Sequence, residues 1–118
     1  MNRTKQLLEI ILYEISLLDE GLDYYRCKSY EEFSKNPFVQ RAVTQVITNV
    51  HETIKKIPEE YIIENKNIDW NKFRTTRNIS SHDYMSVSFR VIWNIIQNDI
   101  KPFKNDIVKL INDFIDEE

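Results

Sequence analysis

The residues of this chain that could carry chemistry gather in one short stretch past its middle. Between residues 70 and 82 there are three cationic side chains, one histidine and no acid: Lys72, Arg74, Arg77 and His82. Acids stand only at the two flanks, as Asp69 and Asp83. Because the formal net charge is −3, this stretch is a local positive patch in an acidic protein. Phosphate contacts need such a concentration of cations, so the patch favours a phosphate-containing ligand.

Two residues of the patch are suited to phosphodiester cleavage. Histidine is the natural proton-transfer group near pH 7, and the planar guanidinium of arginine can hold two phosphate oxygens at once. Together His82 and Arg77 predict metal-independent RNA cleavage. His82 would take the proton from a ribose 2'-hydroxyl or give one to the leaving oxygen, while Arg77 holds the phosphate as charge builds up. An internal 2'-hydroxyl nucleophile would restrict the substrate to RNA.

Helix geometry limits how these two residues can meet. On a continuous helix, positions five apart point roughly 140° away from each other, and Asn78, four before His82, would be its neighbour. Arg77 and His82 can therefore converge only if the helix ends between them, for example at Ser80-Ser81, or if they line a wide groove. One chain also supplies one such histidine, whereas a symmetric dimer would supply both a base and an acid.

A purely structural interpretation of the same residues stays open. Arg77 could pair with Asp83 on the surface, and clustered titratable groups are only probabilistic indicators of a site.

Other catalytic or cofactor sites have little support in the sequence. No nucleophile elbow accompanies the two histidines, His51 and His82. There is no His-x3-His pair, and Cys27 is the only cysteine, so a zinc site would need scattered ligands. A single glycine leaves no phosphate-cradling loop. We therefore expect no metal and no cofactor.

The composition predicts one all-α domain over residues 1–118. The chain is 42% hydrophobic, which is enough for one sizeable core. It has one glycine and three prolines, too few for the many turns of a compact sheet protein. Glu9 and Glu14 interrupt the apolar run from Leu7 to Leu18, which argues against a signal peptide or a membrane span. With a single cysteine and no disulfide, a reducing, cytoplasmic location is expected.

Apolar spacing and capping residues predict an up-and-down bundle of four to five helices, two-thirds or more helical. The first helix should run from about 3 to 20 and stop at Gly21. The remaining predicted elements are a short helix at 30–33 capped by Ser29, a long helix from Asn36-Pro37 up to Pro58, a turn through Tyr61, a helix from Trp70 capped by Asp69, one capped by Ser88, and a last one starting at Pro102.

The stretch also resembles a known motif. Arg77-Asn78-x3-His82-Asp83-Tyr84 resembles the Arg-x4-His-x-Tyr motif of HepT-like proteins, a family of the HEPN superfamily. Similar segments flank it over about residues 25–115, among them Ile68-Asp69-Trp70 before the motif and 91–96 after it. The chain departs from the family pattern at His51, where glycine is usual, and at Met85-Ser86, where Phe-Gly is frequent.

The resemblance implies a HEPN-like helical bundle and a role as the toxin of a two-gene toxin–antitoxin system. Such proteins are homodimeric, metal-independent ribonucleases with the motif arginine and histidine, here Arg77 and His82, in the cleft. Their partner is a minimal nucleotidyltransferase antitoxin, which adds AMP to the motif tyrosine, here Tyr84. A phosphate-bearing group two residues from His82 would occupy a site built for RNA phosphate.

The expected supporting, RNA-binding residues are the polar neighbours of the motif: Lys72, Arg74, Asn78 and Asp83. His51 could approach the cleft, but a position on the helix surface is the expected one. Two alternatives remain: a catalytically silent HEPN module that binds the nucleotidyltransferase, and a helical adaptor with no nucleic-acid role.

Overall fold

The computed structural model describes residues 2–73 and 88–117, with side chains in the last helix described as far as Phe114. Within these ranges there are six helices and no strand, and 77% of the residues are helical. The helices are α1 (Arg3–Tyr24), α2 (Tyr30–Ser34), α3 (Pro37–Ile54), α4 (Glu59–Glu64), α5 (Phe89–Asn98) and α6 (Ile100–Glu117). The predicted all-α class and helix content are confirmed. The described helices exceed the expected four to five because α2 and α4 are separate short helices of five and six residues.

Helix α1 joins two sides of the bundle. It packs against α3 and α6, while α5 packs against α6 and α2. One stripe of α1 faces the core, as its helical spacing predicts: Leu7, Leu8, Ile11, Ile15 and Leu18 are buried. Two polar contacts add to this packing, since Asn49 of α3 donates to Glu14 at 2.7 Å and Lys104 of α6 donates to Asp19 at 3.0 Å.

The predicted stop at Gly21 is wrong. Helix α1 continues through Gly21 to Tyr24, and the chain leaves the helix only at Tyr25 and Arg26. Arg26 adopts the left-handed conformation with φ 56°, which is the geometry that usually ends a helix. A glycine inside a helix costs about 1 kcal/mol relative to alanine, which the buried face of α1 can offset.

The predicted starts of α2, α3 and α5 are confirmed by their caps. The side-chain oxygens of Ser29, Asn36 and Ser88 accept the backbone N–H three residues later, at 3.2, 3.1 and 3.4 Å. Pro37 occupies the first turn of α3, where a missing N–H costs nothing.

Several predicted boundaries differ from the structure. Helix α3 ends at Ile54 rather than at Pro58, and α4 extends to Glu64 rather than Tyr61. Helix α6 begins at Ile100, with Pro102 inside its first turn, where proline is tolerated. Residues 70–73 form turns rather than the start of a helix. None of the helices in the described ranges combines the length and apolarity that crossing a membrane would require.

Candidate active site

Most residues of the predicted site lie outside the described residues. These are Arg74, Arg77, Asn78, His82, Asp83 and Tyr84. Their predicted roles in catalysis, RNA binding and modification therefore stay predictions. The structure describes the residues on either side of this segment, which are Phe73 before it and Ser88 after it.

The chain enters the segment from a buried aromatic cluster. Phe73 is fully buried and lies edge-on to Phe103 of α6, with ring centroids 4.9 Å apart. Trp70 is also edge-on to Phe103, at 6.0 Å, and its indole N–H donates to the carbonyl oxygen of Asn65 at 3.0 Å. A buried indole N–H with a partner and three packed rings fix this end of the segment against α6.

The chain leaves the segment at the start of α5, which is held against α2. Phe33 of α2 is fully buried, stacks on Trp93 at 5.3 Å and lies edge-on to Phe89 at 6.1 Å. The guanidinium carbon of Arg90 lies 3.7 Å from the ring centroid of Tyr30, a cation–π contact. The segment that carries the motif thus connects two well-packed points of the bundle.

Arg90 is a further cation close to the motif in the sequence, and it was not among the residues of the predicted positive patch. It lies two residues after Ser88 and eight after His82, so its place in the sequence was a usable signal. No acid stands in the first turn of α5, and a cation at a helix N-terminus is unfavourable to the helix.

Lys72 is the predicted RNA-binding residue that the structure does describe. Its ammonium nitrogen lies 3.7 Å from a carboxylate oxygen of Asp69 and 3.5 Å from one of Asp99. Both pairs are partly exposed, so each contributes little to stability. An RNA phosphate would have to compete with these two carboxylates for Lys72.

His51 does not lie on the helix surface, contrary to the expectation. It is 6% exposed and lies in the last turn of α3. Gln40 and Thr44 are also buried polar residues of α3, at 6% and 4% exposure. Positions 40, 44 and 51 share one helix face because they are four and seven residues apart, so α3 carries a row of buried polar side chains.

The single thiol of the chain, Cys27, lies in the connection between α1 and α2. Burial, and then the nearby Glu32 carboxylate, raise the pKa of Cys27 above its ordinary value. A raised pKa lowers the thiolate fraction at neutral pH, so Cys27 is a poor nucleophile. Among the described residues, no three histidine, cysteine, aspartate or glutamate side chains lie close enough together to hold a metal ion.

The fold and the motif together define an all-helical protein of the HEPN class. The family described as "Ribonuclease HepT-like" matches residues 14–110, a range that contains the whole motif. The chain belongs to this family of HepT-like ribonucleases.

Several relatives carry ribonuclease names. A candidate RNase of Caldanaerobacter subterraneus is 26% identical over 94% of this chain and 96% of its own length. A protein of Thermococcus cleftensis, named as a probable HepT ribonuclease, is 29% identical over 90% of this chain and 94% of its own. A third relative, from Methanocaldococcus jannaschii, is named as a gamma-glutamylcyclotransferase and candidate RNase. It is 30% identical over 90% of this chain, which spans only 46% of that longer protein. No solved structure gives a significant match.

Proposed function

We propose that this protein is a metal-independent RNA endonuclease, the toxin of a HEPN/nucleotidyltransferase pair. The observation that carries the proposal is the family match over residues 14–110, which supports a ribonuclease and spans the Arg77–His82 motif. The ribonuclease names of the relatives point the same way.

Arg77 and His82 are the proposed catalytic residues. His82 moves the proton at the 2'-hydroxyl or at the leaving oxygen, and Arg77 stabilises the charge that develops on the phosphate. Arg74, Asn78, Asp83 and Lys72 are the proposed supporting residues. The chain acts as a homodimer, so that one cleft receives two histidines, one as base and one as acid.

Tyr84 is the proposed point of control. A minimal nucleotidyltransferase partner transfers AMP to its hydroxyl. The added phosphate brings negative charge to within two residues of His82, where it repels RNA.

Cleavage of total RNA in EDTA tests the catalytic proposal. We expect cleavage by the wild type and a loss of about a hundred-fold or more in His82→Ala, the size of a general acid–base contribution. Arg77→Lys should also be impaired because an ammonium cannot hold two phosphate oxygens in a planar fork. His51→Gln, at a buried position outside the motif, serves as the control histidine substitution, with circular dichroism reporting the fold of each variant.

The two negative outcomes have different meanings. Equal cleavage by wild type and His82→Ala would mean that another residue, or a contaminant, cuts the RNA. No cleavage by any variant would favour the catalytically silent module that only binds the nucleotidyltransferase.

Intact mass after coexpression with the partner tests the role of Tyr84. The mass should rise in AMP-sized steps, and Tyr84→Phe should abolish the rise. An unchanged rise in Tyr84→Phe would place the modification on another residue.

A further inference from the structure

A cavity lies at one end of the bundle, where the start of α1 and the end of α4 meet α6. Its volume is about 390 Å³, which is within the range of small-molecule pockets. The residues that line it come from all three helices and include Thr4, Tyr61, Glu64, Leu110, Asp113 and Phe114. It is called here the α1–α4–α6 cavity. Its lining combines an aromatic wall with carboxylates, and this combination indicates the kind of ligand that would fit.

One wall of the cavity is apolar and aromatic. Tyr61 of α4 stacks on Phe114 of α6, with ring centroids 5.9 Å apart and 24° between the ring planes. Both residues are half-buried, so each ring keeps part of its surface uncovered. Leu110, one turn before Phe114, adds a buried aliphatic side chain. Aromatic faces attract cations through the negative charge above the ring, so this wall suits the flat body of an organic cation.

Two carboxylates from different helices stand at the same cavity, Glu64 of α4 and Asp113 of α6. Both side chains are exposed, and neither forms an ion pair with a described residue. No lysine or arginine is among the described residues that line the cavity, although Arg3 and Lys5 stand in the adjacent turn of α1. Glu64 is also the last residue of α4, where the helix dipole is negative and no base stands in the last turn. The lining is therefore negative, which favours a cationic ligand.

Asn65 adds a neutral acceptor to the cavity. Its amide nitrogen donates to the carbonyl oxygen of Tyr61 at 3.0 Å, which fixes the amide at the end of α4. The oxygen of the same amide takes no hydrogen bond from the described residues and is left to accept one from a ligand. Carboxylate and amide oxygens on one side and aromatic rings on the other require a ligand that is rich in donors and flat.

We propose that the α1–α4–α6 cavity binds the guanidinium group of an arginine-like cation. A guanidinium is planar, stacks on aromatic faces and presents its donors in a fork that matches a carboxylate. An ammonium is a compact, strongly hydrated charge and would gain less from the rings. A metal ion would need more ligands than the described residues bring together here. The guanidinium can belong to a free small molecule or to an arginine of another protein. The inference concerns residues outside the Arg77–His82 motif and does not require that the chain cut RNA.

Titration of the isotope-labelled full chain with N-butylguanidinium, followed by NMR at low salt, tests the site. The backbone amide signals of Asn65 and Asp113 should shift in a saturable way, with a Kd of about 1 mM or tighter, within the efficiency range of small ligands. N-butylurea has the same shape without the charge and should bind at least about ten-fold more weakly, since its loss of charge removes the charge-assisted hydrogen bonds. N-butylammonium should bind with an intermediate Kd.

Substitutions in the lining should weaken this binding without changing the fold. Glu64→Gln and Asp113→Asn should each raise the Kd by about five-fold or more, because each removes the charge from one hydrogen-bond acceptor. Phe114→Leu should raise it by about three-fold through the loss of a partly exposed cation–π contact. Glu60→Gln on α4 and Asp106→Asn on α6 are the matched controls, since they make the same changes outside the lining. The NMR spectrum of each variant reports its fold.

A further ligand, N-acetylarginine amide, distinguishes the two sources of the guanidinium. Binding as tight as that of N-butylguanidinium would indicate an arginine within a protein chain, and its exclusion would indicate a free molecule. The inference would be overturned by the lack of a saturable shift up to about 10 mM, ten times the expected Kd. Equal binding of N-butylurea or N-butylammonium would overturn it too, as would controls that weaken binding as much as Glu64→Gln and Asp113→Asn. None of these results bears on RNA cleavage by His82, so the ribonuclease proposal stands or fails separately.

Discussion

Replacing Phe73 by alanine should remove much of the stability of the whole bundle. Phe73 is fully buried and packs edge-on against Phe103, which also contacts Trp70. Truncating a buried phenylalanine costs about 3–5 kcal/mol, through lost transfer free energy and the cavity left behind. A domain of this size is stable by about 5–15 kcal/mol. A loss of about 4 kcal/mol corresponds to a fall in Tm of roughly 15 °C. The whole loss appears in this one transition because a small domain unfolds cooperatively.

Urea and thermal unfolding followed by circular dichroism measure this loss. Ile63→Ala is the control, since an exposed side chain on α4 should change the free energy of unfolding by less than about 0.5 kcal/mol. A loss below about 1 kcal/mol for Phe73→Ala would refute the reasoning. It would mean that the aromatic cluster does not hold the start of the motif segment against α6.

Three further outcomes follow from buried or paired groups. Thr44→Val should be neutral or stabilising, because the buried Thr44 hydroxyl has no hydrogen-bond partner among the described residues. Thr53→Val should lower the free energy of unfolding by about 1 kcal/mol, because it removes the 2.8 Å hydrogen bond to the Asn49 carbonyl oxygen. Chemical unfolding of the two variants measures both effects. Native Cys27 should react with iodoacetamide far more slowly than after unfolding, because burial raises its pKa; equal rates would contradict its burial. The hydrogen bond and charge of Lys28 lower the pKa of Asp23 below 3.8, so the stabilisation from this pair is present above that pH and is lost as the pH falls through the lowered value. Low-salt Tm values for wild type and Asp23→Asn should therefore differ slightly at pH 7 and converge as acid protonates the Asp23 carboxylate, and a difference that grows in acid would contradict this sign.

The sequence was sufficient to predict a helix start wherever a single capping residue determines it. Ser29, Asn36 and Ser88 each cap a helix because a short polar side chain satisfies an N–H that the helix itself leaves unpaired. Gly21 misled the prediction because glycine permits a helix end without requiring one. The end of α1 is set instead by Arg26, an arginine in the left-handed conformation that no residue preference indicates.

Tertiary contacts were beyond the reach of sequence patterns. The apolar spacing of α3 identified its core face, but the burial of His51 depends on which elements cover the adjacent face. Likewise, the motif could be located by its spacing and by its resemblance to a family, whereas the packing of Phe73 and Phe33 at its two ends depends on residues of other helices.

Lys72 shows most directly why counting charges along a chain does not give an electrostatic surface. In the sequence it is one of three cations in a stretch without acids, but the fold brings the carboxylate of Asp99, 27 residues later, to 3.5 Å. Together with Asp69 at 3.7 Å, this places two negative charges beside one positive charge. Arg90 in the first turn of α5 differs from Lys72, because it packs on the ring of Tyr30 and that turn contains no acid. In the proposed ribonuclease we therefore expect arginines to contribute more to phosphate binding than Lys72. The planar donors of arginine suit phosphate oxygens, whereas the Lys72 ammonium is already shared by two carboxylates.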